Sequence, residues 1–285
     1  MTNPMKINVI RPKPLNVPNI AAFDLDAEYG LAGLIADGDA FAVRINGRLL
    51  RSWRKEGRWK PAEIKWFDRG TVVVYPHLTF VAEDAWRELE KSWPHIFVVS
   101  DHYLFVGYDE EAIYGTPVPE PESNGVSVYS YEGRREISFR YFFEKDRAAD
   151  FVEIKTCYSI YDIFVFTTDE IEFDKIWLLN AADRTYRSIR TSFDLVSVRV
   201  LTGDDKTAYA IFEHRISVRN GADMAPFEFA VFDLVAGTAE KRDFAPVAAA
   251  LAQAGFDPAT LMFKSNARGR IIVADAQKAA LLEFS

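Results

Sequence analysis

The densest gathering of chemically capable side chains in this 285-residue chain is the stretch Ser100-Asp-His-Tyr-Leu-Phe-Val-Gly-Tyr-Asp-Glu-Glu-Ala-Ile-Tyr-Gly115. Asp101 and His102 fall in a tight turn between two apolar runs. Tyr108, Asp109, Glu110 and Glu111 fall at the end of the second run. Carboxylates clustered at a strand terminus can ligate a divalent cation or face a basic partner. The plainer reading has Asp101 accepting hydrogen bonds from its own turn and the three acids simply solvated. Together with Tyr158, these six are the candidate binding residues.

Other reactive types are dispersed. His77, His95, His102 and His214 form neither H-x-x-x-H nor H-E-x-x-H, so zinc spacing on a helix is absent and no metal ligand is assigned. Ligands drawn singly from separate repeats would leave no such spacing. The one cysteine, Cys157, cannot form an intrachain disulfide, which fits a reducing cytoplasm. Lying beside Tyr158 on an expected strand, it reads as a small buried hydrophobe before it reads as a nucleophile. Neither a G-x-S-x-G elbow nor a P-loop nor a dinucleotide fingerprint is present. Gly30-Leu-Ala-Gly33 leads into an apolar strand, which is not phosphate-loop geometry. Asp24, Asp26 and Glu28 precede the run Leu31 to Ile35, and Asp37 and Asp39 follow it. At the mouth of a channel, such acids would suit a calcium-dependent lactonase. Asp37-Gly-Asp39 is also an ordinary hairpin turn.

The elements that must carry these residues repeat. An apolar-alternating run, a short polar turn and a second run begin at Phe41, Val126, Ile176, Phe229 and Ile271. Most starts are roughly 40 to 50 residues apart, the period of propeller blades. The first gap is nearly double, and Thr71-Val-Val-Val-Tyr75 lies inside it as a diverged copy. Further apolar segments upstream (Leu31 to Ile35, Ile96 to Val99, Ile163 to Phe166, Val196 to Leu201, Leu261 to Phe263) are expected to be innermost strands. The expected fold class is all-β: a β-propeller of five or six blades with two short surface helices, forming a single domain over 1–285. Those helices are expected at Glu83 to Lys91 and Pro246 to Gln253. Lys6-Ile-Asn-Val-Ile10 is expected to pair with the last unit and close the ring. Thr116-Pro-Val-Pro-Glu-Pro-Glu-Ser-Asn-Gly125 reads as a loop between the second and third strands of its unit.

The stretch Phe105-Val-Gly-Tyr-Asp-Glu-Glu-Ala-Ile-Tyr-Gly115 resembles a strand-plus-acidic-loop motif of a group of propeller-like bacterial proteins. Their pattern, roughly aromatic-V-x-Y-F-D-E-G-V-F-G, is followed by a hairpin and a D-C-Y segment; here that segment is Thr156-Cys157-Tyr158. This chain departs from it by lacking the Phe after Tyr108, by Glu111 in place of Gly and by Thr156 in place of Asp. The resemblance implies the propeller fold and marks Tyr108, Asp109, Glu110, Gly115, Cys157 and Tyr158.

A net charge of −8, spread along the chain, argues against nucleic acid, which needs a concentrated basic surface. The N-terminal residues lack the apolar core of a secretory signal, and no run approaches the ~20 apolar residues of a membrane span. The expectation is a cytoplasmic protein with no membrane partner. The absence of a catalytic constellation favours a non-enzymatic scaffold presenting loops to a protein partner, without a cofactor. The alternative is a metal-assisted hydrolase or lactonase using calcium or zinc at the channel mouth. A third reading is small-ligand sensing, with Trp53, Tyr108 or Trp177 as stacking surfaces.

Overall fold

Alternating apolar and polar side chains commit most of this chain to strands, each needing a neighbouring sheet to cover one face. The computed structural model describes residues 6–15, 19–54, 63–68, 70–75, 79–83, 86–88, 96–100, 103–108, 125–130, 135–138, 154–168, 175–190, 198–204, 206–213, 227–236 and 238–284. Their strands form six four-stranded antiparallel sheets. Strand β1 (Ile7–Pro14) belongs to the last of these. The first sheet is β2 (Ile20–Asp26), β3 (Gly30–Asp37), β4 (Ala40–Ile45) and β5 (Arg48–Arg54); the second is β6 (Glu63–Asp68), β7 (Thr71–Tyr75), β8 (Thr79–Val81) and β9 (Trp86–Glu88). The third is β10 (Ile96–Val99), β11 (Tyr103–Tyr108), β12 (Gly125–Ser130) and β13 (Arg135–Ser138); the fourth is β14 (Ile154–Ile160), β15 (Ile163–Thr168), β16 (Lys175–Asn180) and β17 (Thr185–Arg190). The fifth is β18 (Val198–Gly203), β19 (Thr207–Glu213), β20 (Phe227–Asp233) and β21 (Thr238–Arg242). In the sixth, β22 (Met262–Ser265), β23 (Ile271–Ala274) and β24 (Lys278–Phe284) are completed by β1.

The first strand of each sheet packs beside the first strand of the next, from β2 through β22. β22 returns to β2, where Lys264 Nζ donates to the Phe23 carbonyl. These strands therefore surround an axis. Two of the expected innermost strands are corrected: Leu31 to Ile35 lies in β3 and Ile163 to Phe166 in β15, each second in its sheet. Their more apolar composition reflects burial on both faces, which second strands share with first ones. The Thr71 segment is β7, in a sheet of its own.

Apolar residues meet between neighbouring sheets. Ala32, Leu34 and Val43 pack on Ile64, Trp66, Val72 and Val74. Ile160, Val165 and Leu178 pack on Leu201, Ala210 and Phe232. Between the fifth and sixth sheets, Tyr209, Phe229 and Phe284 stack in near-parallel pairs. Helix α1 (Ala245–Gln253) adds Val247 and Leu251 to that cluster; Ala245 N donates to Asp243 Oδ1 at 2.9 Å and Gly255 follows at φ 73°. The sixth sheet meets the first through Ile272, Ala274 and Leu281 against Phe23, Leu25 and Leu31.

The segment expected as a first helix is corrected: Trp86–Glu88 is β9, paired with Thr79–Val81. An unpaired edge on β8 outweighs the weak helical spacing of Ala85, Trp86 and Leu89, because pairing satisfies backbone groups that would otherwise be stranded. The N-terminal closure is present. β1 pairs antiparallel with β24 from Ile7 against Phe284 to Pro14 against Lys278. Its register shifts between Ile10 and Lys13, around Pro12, which an edge strand tolerates because no further strand needs its missing N–H. No helix among the described residues is long and apolar enough to cross a membrane.

Candidate functional site

The first five sheets are up-and-down meanders, so their first and third turns lie at one end and their second turns at the other. Hydrogen bonds tie the first and third turns together in the same way in three sheets. Asn46 N donates to the Leu31 carbonyl (2.8 Å), Ala181 N to that of Asp162 (3.0 Å) and Leu234 N to that of Lys206 (2.7 Å). First turns also touch across sheets: Ser100 Oγ donates to Asp162 Oδ1 (2.9 Å) and Arg268 Nη2 to the Tyr29 hydroxyl (2.9 Å). These contacts assign the first and third turns to a common, turn-bearing end.

At that end the five-residue connection from Asn266 to Arg270 reaches over the axis. Ala267 is buried beside Ile64 and Trp66 of the second sheet, and its N–H donates to Asp24 Oδ2 of the first (3.3 Å). Its carbonyl accepts from Ser159 Oγ of the fourth sheet (3.4 Å). Asn266 organises the turn: Oδ1 accepts from the N–H of Arg268 and Arg270, both at 2.9 Å, while Nδ2 donates to the Leu25 carbonyl at 3.0 Å. Gly269 has φ 65°, and a Cβ there would collide with the Ser159 carbonyl. This connection is a plug held by three sheets besides its own.

Beneath the plug lies a charged cluster contributed by three first strands. Asp24 is fully buried; its carboxylate accepts from Trp66 N (2.9 Å), Ala267 N and Leu25 N (3.0 Å). Burial raises its carboxyl above the ordinary carboxylate range, against the pull of Lys65, Lys264 and two of these amides. Burial, and then the like charge of Lys65, lowers Lys264 to about 8, against the pull of Asp24 and Glu63. Lys65 Nζ donates to the Ser265 carbonyl and lies 3.3 Å from Glu63 Oε1. The expectation of acids gathered at a channel mouth is thereby corrected for this segment. Asp24 is enclosed and offset by lysines, and Asp26 accepts from Glu28 N and Tyr29 N and pairs with Arg268 at 3.3 Å. No group of three His, Cys, Asp or Glu side chains able to hold a metal occurs among the described residues.

Turn chemistry accounts for further aspartates among the described residues. Asp204 accepts from the N–H of Lys206 and Thr207, Asp233 from Val235 and Ala236, and Asp275 from Gln277 and Lys278.

Of the candidate binding residues, Asp101, His102, Asp109, Glu110 and Glu111 lie outside the described residues, as do all four histidines. Tyr108 is the last residue of β11, and only its backbone is described. In the chain, β11 (Tyr103–Tyr108) separates Asp101 and His102 from Asp109, Glu110 and Glu111. Tyr158 is described; its hydroxyl donates to the Val198 carbonyl at 2.8 Å, joining the fourth and fifth sheets. Two aromatics considered for stacking a ligand pack within their own sheets. Trp53 lies 6.0 Å from Phe41 and Trp177 5.9 Å from Tyr186.

Sequence reasoning did not reach the apolar decoration of the turn-bearing end. Leu49, Tyr161 and Val235 are 48%, 57% and 68% exposed, and each stands at or beside a first or third turn. Tyr161 also holds φ 52°, a left-handed conformation that a bulky side chain disfavours. Beside Leu49 an open cleft of about 630 Å³ lies between the first and second sheets, lined among others by Glu28, Tyr29, Arg48, Leu50, Trp66 and Glu83.

No family model matches the chain, and no curated protein matches it in sequence. Solved structures do match in fold. The Neurospora crassa Pan2 WD40 domain is 12% identical over 95% of this chain and 82% of its own, with a TM-score of 0.50. Kluyveromyces lactis Hsv2p is 10% identical over 76% of this chain and 63% of its own, also at 0.50. The WD40 β-propeller domain of Doa1 is 8% identical over 93% of this chain and 78% of its own, at 0.49. The likeness to the Pan2 domain, with the six sheets, shows a propeller-like, predominantly β architecture.

Proposed function

We propose that this chain is a non-enzymatic propeller scaffold of six blades, one per sheet, forming one domain over 1–285, and that its turn-bearing end docks a protein partner. The carrying observation is that the large side chains Leu49, Tyr161 and Val235 are each about half exposed or more at that end. Single exposed apolar residues are unremarked on any protein, but three at or beside the turns of one end, one in a disfavoured backbone conformation, are a different matter. Propeller folds host catalysis and binding alike, so the reading rests on this surface and not on the architecture. A ring braced between sheets offers rigid support for variable turns. Asp101 and His102, which lie between β10 and β11 in the sequence, are carried in this reading as candidate partner contacts. Tyr108, Asp109, Glu110 and Glu111, which follow one another at and after the end of β11 in the sequence, remain candidate contacts of the same class. Tyr158 serves the docking surface only by fixing the fourth blade against the fifth.

A photo-crosslinking amino acid placed in turn at positions 49, 161, 235 and 262 of the full chain, in cells that express it, tests this. Positions 49, 161 and 235 should yield a common crosslinked protein that position 262, at the opposite end of β22, does not. Equal yields from all four positions, or none from the first three, would overturn the reading.

A further inference from the structure

We propose that the cleft between the first and second blades receives a short extended segment of the partner in which a large apolar residue is flanked by lysine or arginine. This rests on the turn-bearing end being the docking surface. A cleft of about 630 Å³ is of a size that holds a few side chains. Two polar side chains of its lining, Asn46 and Trp66, are already hydrogen-bonded within the chain. Asn46 Oδ1 accepts from Leu31 N (3.0 Å), Asn46 Nδ2 donates to the Tyr29 carbonyl (2.9 Å), and Trp66 Nε1 donates to the Gly30 carbonyl (3.0 Å). Its apolar side chains include Ile45, Leu49 and Leu50, and its charged ones are Glu28, Arg48 and Glu83.

The rim charges are unequal. Glu28, Glu83 and one guanidinium, that of Arg48, share the lining, and Arg48 is paired with Glu83 across the boundary between the two sheets. Among the described residues no cation pairs with Glu28, and the neighbouring Arg268 is paired with Asp26. The Arg48–Glu83 pair is exposed on both sides, so opening it costs little. An incoming cation can take Glu28, or displace Arg48 from Glu83, while its apolar neighbour covers Leu49. An acidic segment would meet the same rim unfavourably, so charge here selects the partner more than it tightens binding.

Three fluorescein-labelled peptides, Ala-Lys-Leu-Lys-Ala, Ala-Glu-Leu-Glu-Ala and Ala-Lys-Ser-Lys-Ala, titrated with the full chain at low salt and read by anisotropy, test the proposal. The Lys-Leu-Lys peptide should bind about tenfold more tightly than either of the others. Leu49→Asp and Glu28→Lys, both surface changes, should each weaken it about fivefold or more, and Glu240→Gln on the remote β21 should leave it unchanged. Equal affinity for the three peptides, or undiminished binding by the Leu49→Asp/Glu28→Lys double variant, would overturn it. The two readings fail separately. Crosslinking from positions 161 and 235 that persists while peptide selectivity is absent removes the cleft alone, whereas loss of that crosslinking removes the docking surface itself.

Discussion

At the scale of single residues, the charges that look functional in the sequence divide by burial. Asp24 reads as an accessible acid until β6 and β22 are seen to bring Lys65 and Lys264 against it. The signal was present in the sequence as lysines inside apolar runs, Ile64-Lys-Trp66 and Phe263-Lys-Ser265. A lysine enclosed in a strand must find a countercharge or lose its proton. It could not be read without knowing which strands adjoin. The cluster predicts a pH dependence whose sign is fixed. Lys264 titrates near 8 in the folded chain and near its ordinary 10.5 when unfolded, so between those values the unfolded chain binds more protons. Stability attributable to this group therefore rises as pH goes from about 8 toward 10.5, by roughly 1–2 kcal/mol after allowing for its partial solvent contact. Urea melts at pH 7.5 and 10 should show that gain in the parent and lose it in Lys264→Met. An identical pH response in both proteins would refute the assignment.

At the scale of elements, hairpins were legible because strand alternation and turn residues are local properties, and β4–β5, β12–β13, β16–β17 and β20–β21 fall where the repeat places them. The misread element, Glu83 to Lys91, is the one whose state depends on a vacancy in a neighbour, the open edge of β8. The same dependence explains the composition of the outermost strands. β5 reads Arg-Leu-Leu-Arg-Ser-Trp-Arg, β17 Thr-Tyr-Arg-Ser-Ile-Arg and β21 Thr-Ala-Glu-Lys-Arg, in a chain that is acidic overall. Charges along an edge keep its unpaired N–H and C=O groups from recruiting a second molecule. Replacing Glu240 and Arg242, an exposed ion pair on β21, by valine should change folding stability by no more than about 0.5 kcal/mol. The concentration at which light scattering sets in should nevertheless fall several-fold, since valine favours the strand and the edge charges are gone. Unchanged scattering at unchanged stability would show that these charges do not protect the edge.

At the scale of the whole molecule, two devices close the ring and both act on the sixth sheet. β1 supplies its outer strand, burying Ile7 and Val9 toward the fifth sheet and Ile10 toward the first. The Asn266–Arg270 plug ties its inner end to Asp24, Leu25 and Ser159. The outer closure was legible because an orphan alternating segment stood beside a three-stranded unit. The plug was not, because a five-residue polar connection looks like any turn until the Gly269 backbone is found against Ser159. Two locks on one sheet should not act independently. Removing residues 1–12 strips aliphatic cover from both boundaries and should cost about 3–5 kcal/mol, by the usual cost of uncovering several core side chains. Gly269→Ala forces a Cβ into the Ser159 carbonyl at a left-handed φ and should cost about 1–3 kcal/mol. Once either lock is open, the sixth sheet is already free to shift and the other constrains less. The combined variant should therefore fall short of the sum by about 0.5 kcal/mol or more in a double-mutant cycle read by urea denaturation. Strict additivity would mean that the plug and the terminal strand hold separate parts of the molecule, and that the ring is not braced across its axis.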